Sequence, residues 1–206
     1  MPDLRHLYSP QSIAARLARP ALAPAADDRH AVRLAPGARI TAAAVLVALV
    51  NRPDGVRVLL TQRTAHLNDH PSQVSFPGGR VDPGDADRVA TALREAEEEI
   101  GLASSRVTVL GSLPDYDIPS GFRVTPVVGW IEPPLDLATL ALDPFEVAAA
   151  FEVPLAELLD PARVQRREYR FNGRHRHYVA IPYAGRYIWG ATAGMLLSLG
   201  RALDDR

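Results

Sequence analysis

The 206-residue chain contains no cysteine and no lysine. Without thiols, neither a disulfide framework nor thiolate chemistry is available, and any metal site must be built from oxygen or imidazole ligands. All 23 basic side chains are arginine, set against 24 acidic ones for a formal net charge of −1. That balance leaves no electrostatic footprint for nucleic acid or a membrane surface as partner. Exclusive use of arginine, alongside abundant alanine and proline, fits the codon bias of a GC-rich genome. Long apolar runs are also missing. The longest, Ala42 to Val50, is about half of what crossing a bilayer needs. No signal-type hydrophobic stretch follows the N-terminal arginines, so a cytoplasmic protein is expected.

What is present is the composition of an ordinary enzyme, 47% hydrophobic and 23% charged. The length suits one domain of about 150–170 residues with appendages. Ile13 and Leu17 stand at helical spacing in 9–19, and a Pro/Ala/Asp-rich stretch follows to about Gly37. Residues 1–38 therefore read as an N-terminal helix and linker arm, and 39–206 as a single domain. Two apolar runs, 42–50 and 56–61, flank Asn51-Arg52-Pro53-Asp54-Gly55 and read as paired strands around a turn. Further strands are expected at 106–111 and 123–131. Residues 143–150 fit helix or strand, and 154–159 start like a helix with proline in the first turn. Asn172-Gly173 marks a hairpin, and 187–203 has the length and periodicity of a closing helix. The fold class is α/β (α+β): a β-sheet between helices, an α/β/α sandwich.

The most informative segment is Gly78 to Leu102. At about 100° per residue, Glu95, Glu98 and Glu99 share one helical face, while Val89, Leu93, Ala96 and Ile100 form an apolar stripe away from it. The segment predicts an amphipathic helix over 88–100, capped by Asp85 or Asp87 and ended by Gly101. A solvated charged face is the plain alternative. Against it, Glu95 and Glu99 are like charges one turn apart, which destabilises a helix unless a cation lies between them. Arg94, four residues before Glu98, is placed to pair with it. Glu95 and Glu99 are the candidate metal ligands, with Glu98 as a shared or supporting one. Phe76-Pro77-Gly78-Gly79 lets backbone approach closely, so a carbonyl at Gly79 can complete an oxygen shell. Magnesium takes few carboxylates and fills its remaining positions with water and phosphate oxygens.

The run Arg94-Glu95-Ala96-Glu97-Glu98-Glu99-Ile100-Gly101-Leu102 resembles the second half of the signature of the Nudix hydrolases. The first half departs: one extra residue in the loop restores Gly79 and brings Asp85 to the acidic place. Upstream, Leu59-Leu60-Thr61-Gln62-Arg63-Thr64 and His70-Pro71-Ser72-Gln73-Val74-Ser75-Phe76-Pro77-Gly78-Gly79 look like the coenzyme A diphosphatase branch, with Thr64 for Ser and Ser72 for Gly. A β-carbon at Ser72 narrows the turn if that position needs positive φ. The resemblance spans about 41–190. It implies the Nudix fold, a mixed sheet sandwiched between helices; Mg²⁺ or Mn²⁺ as cofactor; a small-molecule nucleotide diphosphate as substrate; and room for a homodimer.

The resemblance further implies that Arg94, Glu95, Glu98 and Glu99 carry the catalysis, with a general base drawn from them or from a later acid, for which Glu146 is the candidate. Arg63 has two readings, a contact to substrate phosphate and a salt bridge to the acidic helix. His70, Gln73 and Phe76 are candidate substrate contacts, and Ser120, in the loop 115–121, a candidate pocket wall. The Arg-rich hairpin 163–176 either supplies charge for a further phosphate or is simply solvated. The expected reaction is cleavage of coenzyme A to 3′,5′-ADP and 4′-phosphopantetheine. Two alternatives stand beside it: a broader hydrolase of ADP-ribose or dinucleotides, and a non-catalytic nucleotide-binding module.

Overall fold

The computed structural model describes residues 8–19, 39–67, 71–171 and 174–204, the side chains of 169–176 excepted. In chain order it holds α1 (Pro10–Leu17), β1 (Thr41–Arg52), β2 (Gly55–Arg63), β3 (Val74–Ser75), β4 (Gly78–Arg80), α2 (Arg88–Ile100), β5 (Thr108–Ser112), β6 (Tyr116–Asp117) and β7 (Phe122–Ile131). β8 (Val147–Pro154), α3 (Leu155–Leu158), β9 (Gln165–Phe171), β10 (Arg174–Tyr183), β11 (Arg186–Trp189) and α4 (Gly190–Leu203) complete it.

A mixed sheet runs β3-β2-β1-β7-β5, with β4 added to β1, β6 to β7 and β8 to β2; β9, β10 and β11 form a second, antiparallel sheet. At the centre, β1 and β7 are parallel, from Thr41 opposite Phe122 to Val50 opposite Ile131. Both faces of β1 are buried, so its residues alternate between two cores. Ala43, Val47 and Leu49 enter one, together with Ile13 of α1 and Leu196 and Leu199 of α4. Ala44, Leu46, Ala48 and Val50 enter the other, against Ala92, Ala96 and Ile100 of α2. The predicted layering of helices on both faces of a sheet is what forms.

The predicted helix over 88–100 matches α2 residue for residue. Asp87 caps it by accepting from Ala90 N at 2.8 Å, and Gly101 ends it in the left-handed conformation at φ 66°. Complete burial of Ile100 contributes about 2 kcal/mol of hydrophobic stabilisation. The α1 helix is seated on the body: Ile13 is wholly buried, and Arg16 Nη1 donates to the Leu203 carbonyl at 2.8 Å. The ambiguous stretch 143–150 resolves into a turn and the start of β8. One expectation is corrected at 187–203. Residues 186–189 form a strand whose burial alternates, with Tyr187 and Trp189 exposed and Ile188 buried, and the helix starts only at Gly190, whose φ of 64° breaks the run.

Candidate active site

The site forms where β4 lies antiparallel along β1, with Gly79 opposite Ala44 and Gly78 opposite Val45. A β-carbon at Gly78, at φ 151°, would collide with the backbone of Ala44 and Val45. Only glycine therefore lets β4 close onto β1. The α2 helix packs on the same stretch, and the pairing turns its acidic face toward the β4 backbone.

Glu99 is 6% exposed, and its Oε2 accepts from Gly78 N at 3.2 Å. Burial pushes its carboxyl up to about 8; the Gly78 N–H opposes that rise, and repulsion from Glu146 adds to it. Glu95, half-buried, is likewise raised by burial, with Arg94 opposing and the charges of Glu98 and Glu146 reinforcing. Buried carboxylates that repel one another and have few donors are the electrostatic setting a cation relieves. A β-carbon on Gly79 would fall 2.5 to 2.6 Å from the carboxyl atoms of Glu95, so the glycine makes the cradle in which that carboxylate sits.

Arg94 is the hub beneath this cluster. Its Nε and Nη2 donate to Asp85 Oδ1 and Oδ2 at 2.9 and 3.0 Å, Nη1 to Glu98 Oε2 at 2.8 Å, and Nη2 to the Arg80 carbonyl at 3.1 Å. Nη2 also lies 3.1 Å from Glu95 Oε1. A planar guanidinium thus ties β4, the loop and two turns of α2 together, which a lysine could not do. Asp85 accepts in addition from Asp82 N and from Thr91 Oγ1, and the Arg94 pair holds its carboxyl well below the usual range. Its role, open in the sequence, is to brace Arg94.

Arg63 Nη1 stands 3.9 Å from Glu99 Oε1 and 3.8 Å from Glu146 Oε2. This is the ion-pair reading, at distances too long for hydrogen bonds. Glu146 is brought here by Thr64, whose N–H donates to the Glu146 carbonyl at 2.9 Å and whose hydroxyl donates to the Phe145 carbonyl at 2.7 Å. Thr64 stands where the family pattern has Ser, and the hydroxyl common to both residues is the signal for this bond.

The remaining candidates separate. Gln73 lines a cavity of about 690 Å³, and its carbonyl accepts from Arg63 N at 2.9 Å. Phe76 is 2% exposed, inside the core that also holds Val74 and Ile188, so its ring presents no face to a ligand, contrary to expectation. Ser120 is exposed in the turn before β7, and among the described residues no hydrogen bond joins it to the acidic cluster. His70 lies outside the described residues, as does the Asn172-Gly173 turn, although Phe171 and Arg174 pair across it.

Among the described residues, no three His, Asp or Glu side chains stand together as a ready ligand set, and Glu98 is turned to Arg94. Glu95 and Glu99 nevertheless fit a hard divalent ion. They offer two carboxylates and adjacent backbone, and magnesium usually draws its other ligands from water and substrate. Among the described residues no helix is long and apolar enough to cross a membrane.

The NUDIX domain model matches residues 40–172. The uncharacterized Nudix hydrolase NudL of Escherichia coli K12 is 47% identical over 158 residues, covering 76% of this chain and 80% of the relative. Its namesake in Cronobacter sakazakii is 44% identical over 164 residues, covering 80% and 83%. Of solved structures, the Nudix hydrolase RenU from M. smegmatis superposes with a TM-score of 0.48 at 22% identity, over 59% of this chain and 74% of that one. With an acidic helix face laid on a glycine strand and a family match across most of its length, the chain belongs to the Nudix hydrolases, enzymes that act on phosphoanhydride bonds.

Proposed function

We propose that the chain hydrolyses the diphosphate of coenzyme A and its thioesters, releasing 3′,5′-ADP and 4′-phosphopantetheine or its acylated form. The observation that carries this reading is the upstream pattern Leu59 to Gly79. Its ends meet at the cluster: Arg63 and Gly78 both reach Glu99, and Gln73 bonds back to Arg63. Single-domain organisation over 39–206 and the site roles below belong to the same proposal.

Glu95 and Glu99 would hold Mg²⁺ or Mn²⁺ beside the Gly79 backbone, with Glu98 in support; such an ion offsets the charge of a diphosphate and lowers the pKa of a bound water. The rest falls to the chain's own residues. Arg94 fixes Glu95 and Glu98 in place. Arg63, held by no hydrogen bond to Glu99 or Glu146, presents its planar fork to phosphate oxygens. Glu146, half-buried and fixed through its backbone by Thr64, takes the proton from the attacking water.

The test is product analysis with coenzyme A and Mg²⁺, alongside ADP-ribose, with and without EDTA. Metal-dependent 3′,5′-ADP and phosphopantetheine from coenzyme A support the reading. Cleavage of ADP-ribose alone replaces it with the broader hydrolase, and cleavage of neither with the binding module.

A further inference from the structure

One cavity has features that the chemistry at Glu95 and Glu99 does not use. Its walls come from the β2–β3 edge, through Gln62 and Pro71–Val74, and from the β10–β11 hairpin, through Ala184–Tyr187 and Trp189. At about 690 Å³ it is large enough for a nucleotide-sized group. The carbonyl of Gln73, in its wall, accepts from Arg63 N at 2.9 Å, which ties the cavity to the strand that carries Arg63.

Two independent observations point to a ligand there. Arg186 lines the cavity with its guanidinium 4.1 Å from the Phe151 ring centroid. Its Nε is buried without a hydrogen-bond partner, and among the described residues no carboxylate pairs with it. An arginine so placed lacks an anion, and its fork matches phosphate. Tyr187 and Trp189, 41% and 37% exposed, supply an aromatic rim to the same cavity; Trp189 is braced edge-on by Tyr178 at 5.5 Å. Ser72 and the Ala184-Gly185 turn of the β10–β11 hairpin, whose positive φ angles are those of a two-residue turn, complete the wall.

We propose that the cavity holds an aromatic group bearing a phosphomonoester, separate from the scissile diphosphate, and that Arg186 is the partner of that phosphate. Resting on the coenzyme A reading, this group is the 3′-phosphoadenosine end of the substrate, and Arg186 sets the preference for it.

Binding of 3′,5′-ADP and of 5′-AMP, measured by calorimetry in Mg²⁺ buffer on the intact protein and on Arg186→Gln and Arg186→Lys, tests this without turnover. The unaltered protein is expected to bind 3′,5′-ADP about tenfold more tightly than 5′-AMP. Arg186→Gln should bring that ratio close to one through weaker 3′,5′-ADP binding alone, and Arg186→Lys should keep part of it. Unchanged thermal unfolding of the variants shows that the loss is local. Equal affinities in the unaltered protein, or an unaltered ratio in Arg186→Gln, overturn the proposal. Coenzyme A cleavage with no 3′-phosphate preference refutes this inference alone. Discrimination by Arg186 without coenzyme A cleavage refutes the proposed reaction alone.

Discussion

The Glu95 carboxylate rests on the bare Cα of Gly79, so close that a β-carbon there would fall 2.5 to 2.6 Å from its atoms. The neighbouring Gly78 faces the backbone of Ala44 and Val45 instead. Two adjacent glycines thus serve different ends, one the site and the other the fold.

Substituting them separates the two roles. Gly79→Ala pushes the movable end of one glutamate, so metal affinity and kcat/KM should fall by about 10- to 100-fold, with unfolding free energy changed by less than about 1 kcal/mol. Gly78→Ala meets immovable backbone at a φ that other residues avoid, and should cost about 3 kcal/mol. Urea denaturation beside steady-state kinetics checks both; equal effects on stability would contradict the assignment.

Asp85 braces Arg94 through two hydrogen bonds. Because its carboxyl is held below the ordinary value of 3.8, the native state binds fewer protons there than the unfolded chain. Its contribution is therefore present above that pH and is lost as pH falls toward the depressed native value. Asp85→Asn should lower stability at neutral pH, and the gap to the unaltered protein should close as the pH drops below about 4. Thermal unfolding across that range is the measurement, and a gap independent of pH would show that the charge is unimportant.

Ser72 holds a φ of 60°, a conformation costing a residue with a β-carbon about 1–2 kcal/mol. Glycine relieves that cost and returns part of it through the entropy of the unfolded chain. Ser72→Gly should therefore stabilise by about 0.5–1 kcal/mol, read from the urea midpoint. A loss of stability would mean that the hydroxyl makes up for the strain.

How much of this was legible depended on whether a signal was local. Asp87, the spacing of Val89, Leu93, Ala96 and Ile100, and Gly101 all lie within one segment, so α2 was readable to its ends. β3 and β4, of two and three residues, have no periodicity of their own and exist because β2 and β1 offer edges. The Arg186–Trp189 strand did alternate, but Tyr187 begins a run of apolar spacing that also suits a helix, and Gly190 alone divides the two. For the site, the acids and Arg63 followed from pattern. The burial of Phe76, the bracing by Asp85 and the cavity wall at Arg186 arise from segments far apart in sequence packing together, which no spacing encodes.

The central claim is that the buried carboxylate of Glu99, against Gly78 N, is part of the hydrolytic centre. Its most direct test is the turnover of coenzyme A by Glu99→Gln at saturating Mg²⁺, with circular dichroism to verify the fold. The account predicts at least about a hundredfold loss of kcat in a protein that remains folded, since size is kept and one negative charge removed. Turnover equal to that of the unaltered protein would contradict it.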